Sequence, residues 1–350
     1  MPAHFASSSL FTRRPNNVCT CTAVPEPAHS TVWTSSQLLF AVTLFVAERK
    51  EAARYNQKKK SSTKKRGRMH TGCCTKFDTH VLIIGNGPAG IALSAFLSGM
   101  HPFYDAKHPH QNPTVHEKLL ANHDFSLIDQ DLSWSSNLTE LSQSGRPLSV
   151  LYDMLVRPGA DMGSEAPGSI QWELNRAREI PHMVIGETKI GGSWNEYDPE
   201  MLTVSFSDWM DMPGLTMEQW LGGRPMVKRL PSCAIASYLK RYVDKLRLRK
   251  KFHQFFSVTS IKKVDDVWIT EGRRTTDGRQ FVIRSQSVVV ACGKTSPRKI
   301  EQDETLFAVG AFAGDHFVRF LVGGCLRVAQ HIAGTICTNN NDEKHPPLYA

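Results

Sequence analysis

Val81-Leu82-Ile83-Ile84 is a run of branched apolar residues that passes without a break into Gly85-Asn86-Gly87-Pro88-Ala89-Gly90 and then into Ile91, Leu93, Ala95 and Leu97. A strand that is apolar at every position is one buried on both faces, as in a parallel sheet. The small apolar residues that follow predict a helix, with Gly99 as its stop signal. Strand, glycine turn and helix in that order restrict the fold to α/β. They also define the turn: one glycine for the sharp bend, a second that lets a dinucleotide come close to the backbone, and a third that packs the helix on the strand. The helix N-terminus then presents free N–H groups and a positive dipole end to a pyrophosphate. Gly85, Gly87, Pro88, Ala89 and Gly90 are therefore the first candidate binding residues.

A ribose-binding carboxylate is expected about 20 residues beyond such a turn, and none stands there. Glu187 is the substitute, at the end of a second apolar run, His182-Met183-Val184-Ile185-Gly186. Accepting it means accepting an insertion over about 101–179. That insertion holds His101, His108, His110, His116 and His123 among prolines and polar residues. Without a His-x-x-x-His pair beside a catalytic Glu, these read as loop or surface histidines and not as a metal site. Val150–Val156 looks helical.

Further on, Ile235, Tyr238, Leu239, Tyr242, Val243 and Leu246 recur at helical spacing behind Ser232, a candidate cap. The lysines and arginines around them read as a solvated face. Strand patterns at 257–261, 267–270 and 280–284, with Asp277-Gly278 as a turn, predict a small antiparallel meander over about 255–285. Ser287–Gly293 returns to a buried parallel strand. Leu306–Gly310 repeats it, and a last helix is expected from about Phe317 to Ala333.

The net charge is +9, but twelve of the 42 Lys/Arg and only three of the 33 Asp/Glu lie in residues 1–70, so the rest of the chain is balanced. A nucleic-acid-binding domain is disfavoured. Lys58–Arg68 reads as a solvated arm or an import signal. The 8 cysteines form no Cys-x-x-Cys pair, which argues against a disulfide framework, a zinc ribbon or dithiol chemistry. The apolar stretch Leu38–Ala47 is half the roughly 20 residues a membrane span needs.

Beyond the glycine turn, Glu187 followed by Gly191-Gly192-Ser193-Trp194 resembles the flavin-containing monooxygenases, where this segment lies over the flavin. Ala291-Cys292-Gly293 is similar to that group's Ala-Thr-Gly strand end. Phe307-Ala308-Val309-Gly310-Ala311-Phe312-Ala313-Gly314-Asp315 resembles its second FAD signature. A closer resemblance, over about Thr79 to Ile332, is to the oxidative stress-induced growth inhibitor family. It is carried by Ile84–Gly90, Leu127-Ile128-Asp129-Gln130-Asp131-Leu132, Ile180–Gly186, Gly191–Trp194 and Ala313–Phe320.

The resemblance implies FAD at the glycine turn, with Glu187, Gly191, Gly192, Trp194, Gly314 and Asp315 completing the site, and NADPH as hydride donor. It also implies a part in growth restraint, differentiation and cytokinesis, through protein partners the residues do not name. Flavin chemistry needs no triad, and no catalytic side chain is identified; Trp194 reads equally as a packing residue, and Cys292 as a small buried one.

One departure stands out. In such enzymes an NADPH domain lies between the Ala-Thr-Gly strand and the second signature, yet here twelve residues separate Gly293 from Leu306. A βαβ unit takes about 30. The expected architecture is an FAD-binding, Rossmann-like α/β domain over 76–335 with a small meander, a disordered basic arm over 1–75 and a polar tail over 336–350. Its location is expected to be intracellular, in the cytoplasm and, if the import signal works, the nucleus. Two functions stay open: an FAD- and NADPH-using monooxygenase-like protein of growth control, or a catalytically silent regulator acting through partners.

Overall fold

In the computed structural model the described residues are 77–138, 145–164, 166–223, 227–293 and 303–342. The basic arm, the apolar stretch at 38–47 and the lysine run at 58–68 lie outside them.

The expected first strand is β1 (Thr79–Ile84), and the helix behind the glycines is α1 (Pro88–Leu97), whose residues from Ala89 onward are all buried. The chain then departs from the sequence reading. Residues taken as an unplaced insertion form β2 (Met100–Tyr104), α2 (Pro113–Leu120) and, after the helix expected at 150–156, which is α3 (Pro147–Val156), β3 (Ile170–Leu174). β2 and β3 pair antiparallel from Met100 opposite Leu174 to Tyr104 opposite Ile170. The excursion closes at its neck, where Asn175 N–H donates to Gly99 O at 2.8 Å. Gly99 is obligatory there: its φ is +88° and a Cβ would lie 1.9 Å from Asn175 O. A long insertion whose ends meet leaves the sheet undisturbed, because closing a loop adds little cost with length. His101 and His110 are buried within it, a correction to their reading as loop or surface histidines. Burial, helped by the Arg178 charge and opposed by Asp129, lowers the His101 pKa to about 4.

The sheet resumes with β4 (His182–Gly186), followed by α4 (Met217–Leu221) and α5 (Ser232–Lys245). It is completed by β5 (Phe252–Gln254), β6 (Phe256–Val264), β7 (Val267–Arg274), β8 (Gln280–Val290) and β9 (Leu306–Ala308), before the long α6 (Val318–Asp342). The strand order is β5-β4-β1-β8-β7-β6, with β9 also on β8. β5, β4, β1, β8 and β9 run parallel, while β6, β7 and the start of β8 form the expected antiparallel meander. The meander's strand at 280–284 and the parallel strand at 287–293 were read as separate; they are continuous in β8. α6 also outruns its expected end.

The double-sided burial read from β1 is visible in how its residues divide. Val81 and Ile83 join the main core with α1, α3, α5 and α6, while Leu82 packs on the other face with Ile185, Trp268, Ile283 and Val288. α5 buries the expected stripe, with Tyr238 and Tyr242 fully enclosed; their hydroxyls donate to Leu215 O and, at 2.6 Å, to Pro213 O. Its cap is not Ser232. Pro231 holds the N-cap position, and the Ser232 hydroxyl donates instead to Asp198 O at 2.6 Å. Cys292 is exposed, contrary to its reading as a small buried residue.

One buried feature had no sequence signature. The Arg319 guanidinium lies 4.3 Å from the Trp209 ring centre and 4.5 Å from that of Phe320. Its charge meets Asp161 at 2.6 Å and Asp153 at 3.2 Å, and Arg157 reaches Asp153 at 3.5 Å. Ring faces and carboxylates together offset the cost of taking the cation out of water. Burial still pushes the Asp153 carboxyl up to about 6, against the pull of Arg319 and Arg157.

Candidate functional site

β1 ends between β4 and β8, with Ile84 beside Ile185 and Val290. The glycine turn therefore emerges at the carboxyl edge of the parallel strands, where open α/β sheets bind ligands. Its three glycines do different things. A Cβ on Gly85, whose φ is +128°, would lie 2.2 Å from Ala291 O, and one on Gly90 would lie 1.9 Å from Gly85 O. Both are required by the protein's own backbone. Gly87 is not: its backbone is extended and a Cβ would meet nothing nearer than Gly192 Cα at 3.9 Å.

Gly87 is the N-cap of α1, with Pro88 in the first turn and no side chain capping the helix. Proline fits there because its missing N–H would be unbonded anyway. The N–H groups at the start of α1 are thus left to an acceptor from outside, with the helix dipole favouring an anion.

Two further segments come to this turn. Asn86 is buried; it donates to Thr188 O at 2.6 Å and accepts from the Thr188 hydroxyl at 3.1 Å, while Gly191 N–H donates to Asn86 O at 3.0 Å. These bonds tie the loop after β4 to the turn. Gly192 then sits so close that a Cβ on it would be 2.7 Å from Gly87 Cα. From the other side the second signature arrives: a Cβ on Gly310 would lie 2.8 Å from Ala89 Cβ, and the Cys325 thiol donates to Ala89 O at 3.3 Å.

The remaining expected residues stand as follows. Glu187 lies just past β4, exposed, and accepts from the Ser257 hydroxyl at 2.8 Å. The Trp194 ring packs edge-on against Tyr197 at 5.5 Å. Gly314 takes a φ of +93°, and the Asp315 carboxylate behind it is buried and ion-paired with Arg146. Burial raises the Asp315 pKa, opposed by Arg146. Asn86 and Thr188 were missed by sequence reasoning. The only signal was the middle position of the glycine turn, which the motif treats as arbitrary.

Among the described residues no cluster suits a metal ion, and no helix is long and apolar enough to cross a membrane.

Fold and site define a Rossmann-like α/β protein with a dinucleotide-type glycine turn. By sequence its relatives are the oxidative stress-induced growth inhibitors, as the motifs implied. It is 87% identical over 234 residues to the oxidative stress induced growth inhibitor homolog of Caenorhabditis elegans, covering 67% of this chain and 51% of that protein. It is 38% identical over 187 residues to the human oxidative stress-induced growth inhibitor 2, covering 53% of this chain and 37% of that one. The chain spans about half or less of the length of these relatives. No protein-family model matches. Similar solved structures include a flavin monooxygenase from Stenotrophomonas maltophilia, at 13% identity and a TM-score of 0.33 over 64% of this chain and 41% of that one. Another is a bacillithiol disulfide reductase from Bacillus cereus, at 13% identity and a TM-score of 0.34 over 66% and 47%. Scores of that size say nothing about chemistry.

Proposed function

We propose that this chain binds FAD at the glycine turn and is a monooxygenase-like flavoprotein of growth control. The observation that carries the reading is Gly87. A glycine that the backbone does not require, at the uncapped start of a buried helix, keeps open the space a pyrophosphate would fill. Gly85 and Gly90 hold the bend, Pro88 presets the first helical turn, and Asn86 with Thr188 fixes the loop carrying Gly191 and Gly192 against it. Glu187 is placed to take a ribose hydroxyl. Gly314 and Asp315 complete the far side, with Arg146 keeping the Asp315 carboxylate oriented. When bound, the flavin supplies electron transfer to oxygen or substrate; the chain's part is to position it and exclude water.

A second reading is favoured by one observation. β9 lies beside β8, with Leu306 paired to Val288, and twelve residues between Gly293 and Leu306 are too few for a second βαβ unit. NADPH then has no ordinary site, and the bound flavin serves as a structural element of a silent regulator that works through partners.

The test is an absorbance spectrum of purified chain, with and without NADPH in the absence of oxygen. Flavin bands in the wild type that vanish in Gly87→Asp carry the cofactor reading; equal flavin content in both would sink it. Bands bleached by NADPH favour the oxygenase, and persistent bands the regulator.

A further inference from the structure

At the opposite end of β4 from the glycine turn, beside His182 and Met183, lies an open cavity of about 420 Å³. Small-molecule sites typically occupy roughly 300–1,000 Å³. Four permanent cations line it, Arg176, Arg247, Lys250 and Lys251, against one carboxylate, Glu179. Glu179 is already taken, by Lys251 at 2.6 Å and Arg176 at 3.8 Å. Arg247 and Lys250 have no ion-pair partner among the described residues. His182 adds no charge, since burial lowers it to about 4, and its imidazole is bonded to Ser94 at 2.8 Å and Ile180 O at 2.7 Å.

The cavity is built by a helix end. α5 stops with Arg247 N–H donating to Asp244 O at 3.0 Å and Leu248 N–H to Val243 O at 2.9 Å. That closure demands a left-handed residue after the cap, usually glycine. Here the position holds Arg247 at a φ of +52°, and the strain places a guanidinium at the cavity wall. Helix carbonyl ends ordinarily repel anions. This one is covered, because Arg176 donates to Leu246 O and also to Ser98 O at 3.3 Å. Arg176 is thereby pinned between α1 and α5. Met183 and the His253 ring, itself held edge-on by Phe256 at 5.9 Å, supply a less polar wall.

We infer that this cavity is a second ligand site that takes a small organic phosphate of nucleotide size, its phosphates on Arg247, Lys250 and Arg176 and its ring against Met183 and His253. Guanidinium and ammonium groups match phosphate oxygens, and the volume exceeds what a bare phosphate needs. The site is independent of the flavin reading.

The test is calorimetric titration of the full chain with ADP, with citrate at equal ionic strength as a general anion. ADP is expected to bind the wild type, and the Gly87→Asp variant equally. Arg247→Gly should weaken it about tenfold, the loss of one charged hydrogen bond, while melting no lower than wild type, because glycine suits that backbone. Lys250→Gln should weaken it in the same direction. Loss of ADP binding in Gly87→Asp alone would put the nucleotide on the glycine turn and overturn the inference. So would undiminished binding in Arg247→Gly, citrate binding as tightly as ADP, or no binding of ADP at all.

Discussion

The glycine turn and the charge cluster around the buried Arg319 are held together in opposite ways. At the turn, side chains are absent so that backbone can meet backbone: Gly85 against Ala291, Gly90 against Gly85, Gly192 against Gly87. Around Arg319, side chains from distant segments meet through charge and ring faces. Except at Gly87, the first arrangement tolerates no added atom. The second tolerates no lost charge.

That contrast can be broken from either side. Gly90→Val should have the largest effect, about 4 kcal/mol or loss of folding, because the colliding atom is a carbonyl that cannot move without the strand; denaturant unfolding reads it. A fully stable variant would mean the turn is looser than described. Arg319→Met should cost about 3 kcal/mol in the same measurement, since it leaves Asp153 buried beside Arg157 alone. A neutral result would show that the carboxyl simply takes up a proton.

The same region should carry a pH signature of about 2–3 kcal/mol, from a shift of about two pKa units. Burial raises Asp211 to about 6, although it accepts from Met217 N–H at 2.6 Å and feels Arg157. A carboxyl whose folded pKa lies above its unfolded value near 3.8 favours the fold when protonated, so its contribution is lost as pH rises from about 4 to 6. The buried histidines His101 and His182, both lowered to about 4, act oppositely: their neutral forms favour the fold above 6.5 and that contribution is lost as pH falls. These opposed contributions overlap in the wild type, and the difference between wild type and Asp211→Asn isolates the aspartate. The variant should gain relative stability as pH rises from 4 to 7, and an unchanged difference would reject the assignment. The smallest effect belongs to Gly87→Asp: less than about 0.5 kcal/mol either way, because Asp is a good N-cap and has room. A large stability loss there would mean Gly87 is structural, and would remove the ground for a cofactor.

What could be read from the chain follows the same division. β1, the turn, β4 and α5 were legible because glycine positions and apolar periodicity are local properties. Residues 100–174 were not: β2 carries Pro102 in mid-strand and no alternation, and its partner β3 lies some seventy residues away, across two helices. Arg319, Asp153 and Asp161 carry no local pattern that marks them as partners; only packing brings them together. Asn86 occupies a position that the dinucleotide motif leaves open, so only the contact with Thr188 reveals its work. The expected site residues were brought to one edge of the sheet through Gly87, Gly192 and Gly310, whereas Asp315 is engaged with Arg146 and Trp194 with Tyr197.

β8 has a mechanical meaning of its own. One edge is bonded to β1 from Ser285 onward, while the other serves β7 up to Ser285 and β9 from Val288. Among the described strands, β8 alone is paired with the meander, with β1 and with the strand of the second signature. The full three-stranded meander cannot open without taking β8 out of the parallel sheet, so the two parts are coupled through that strand.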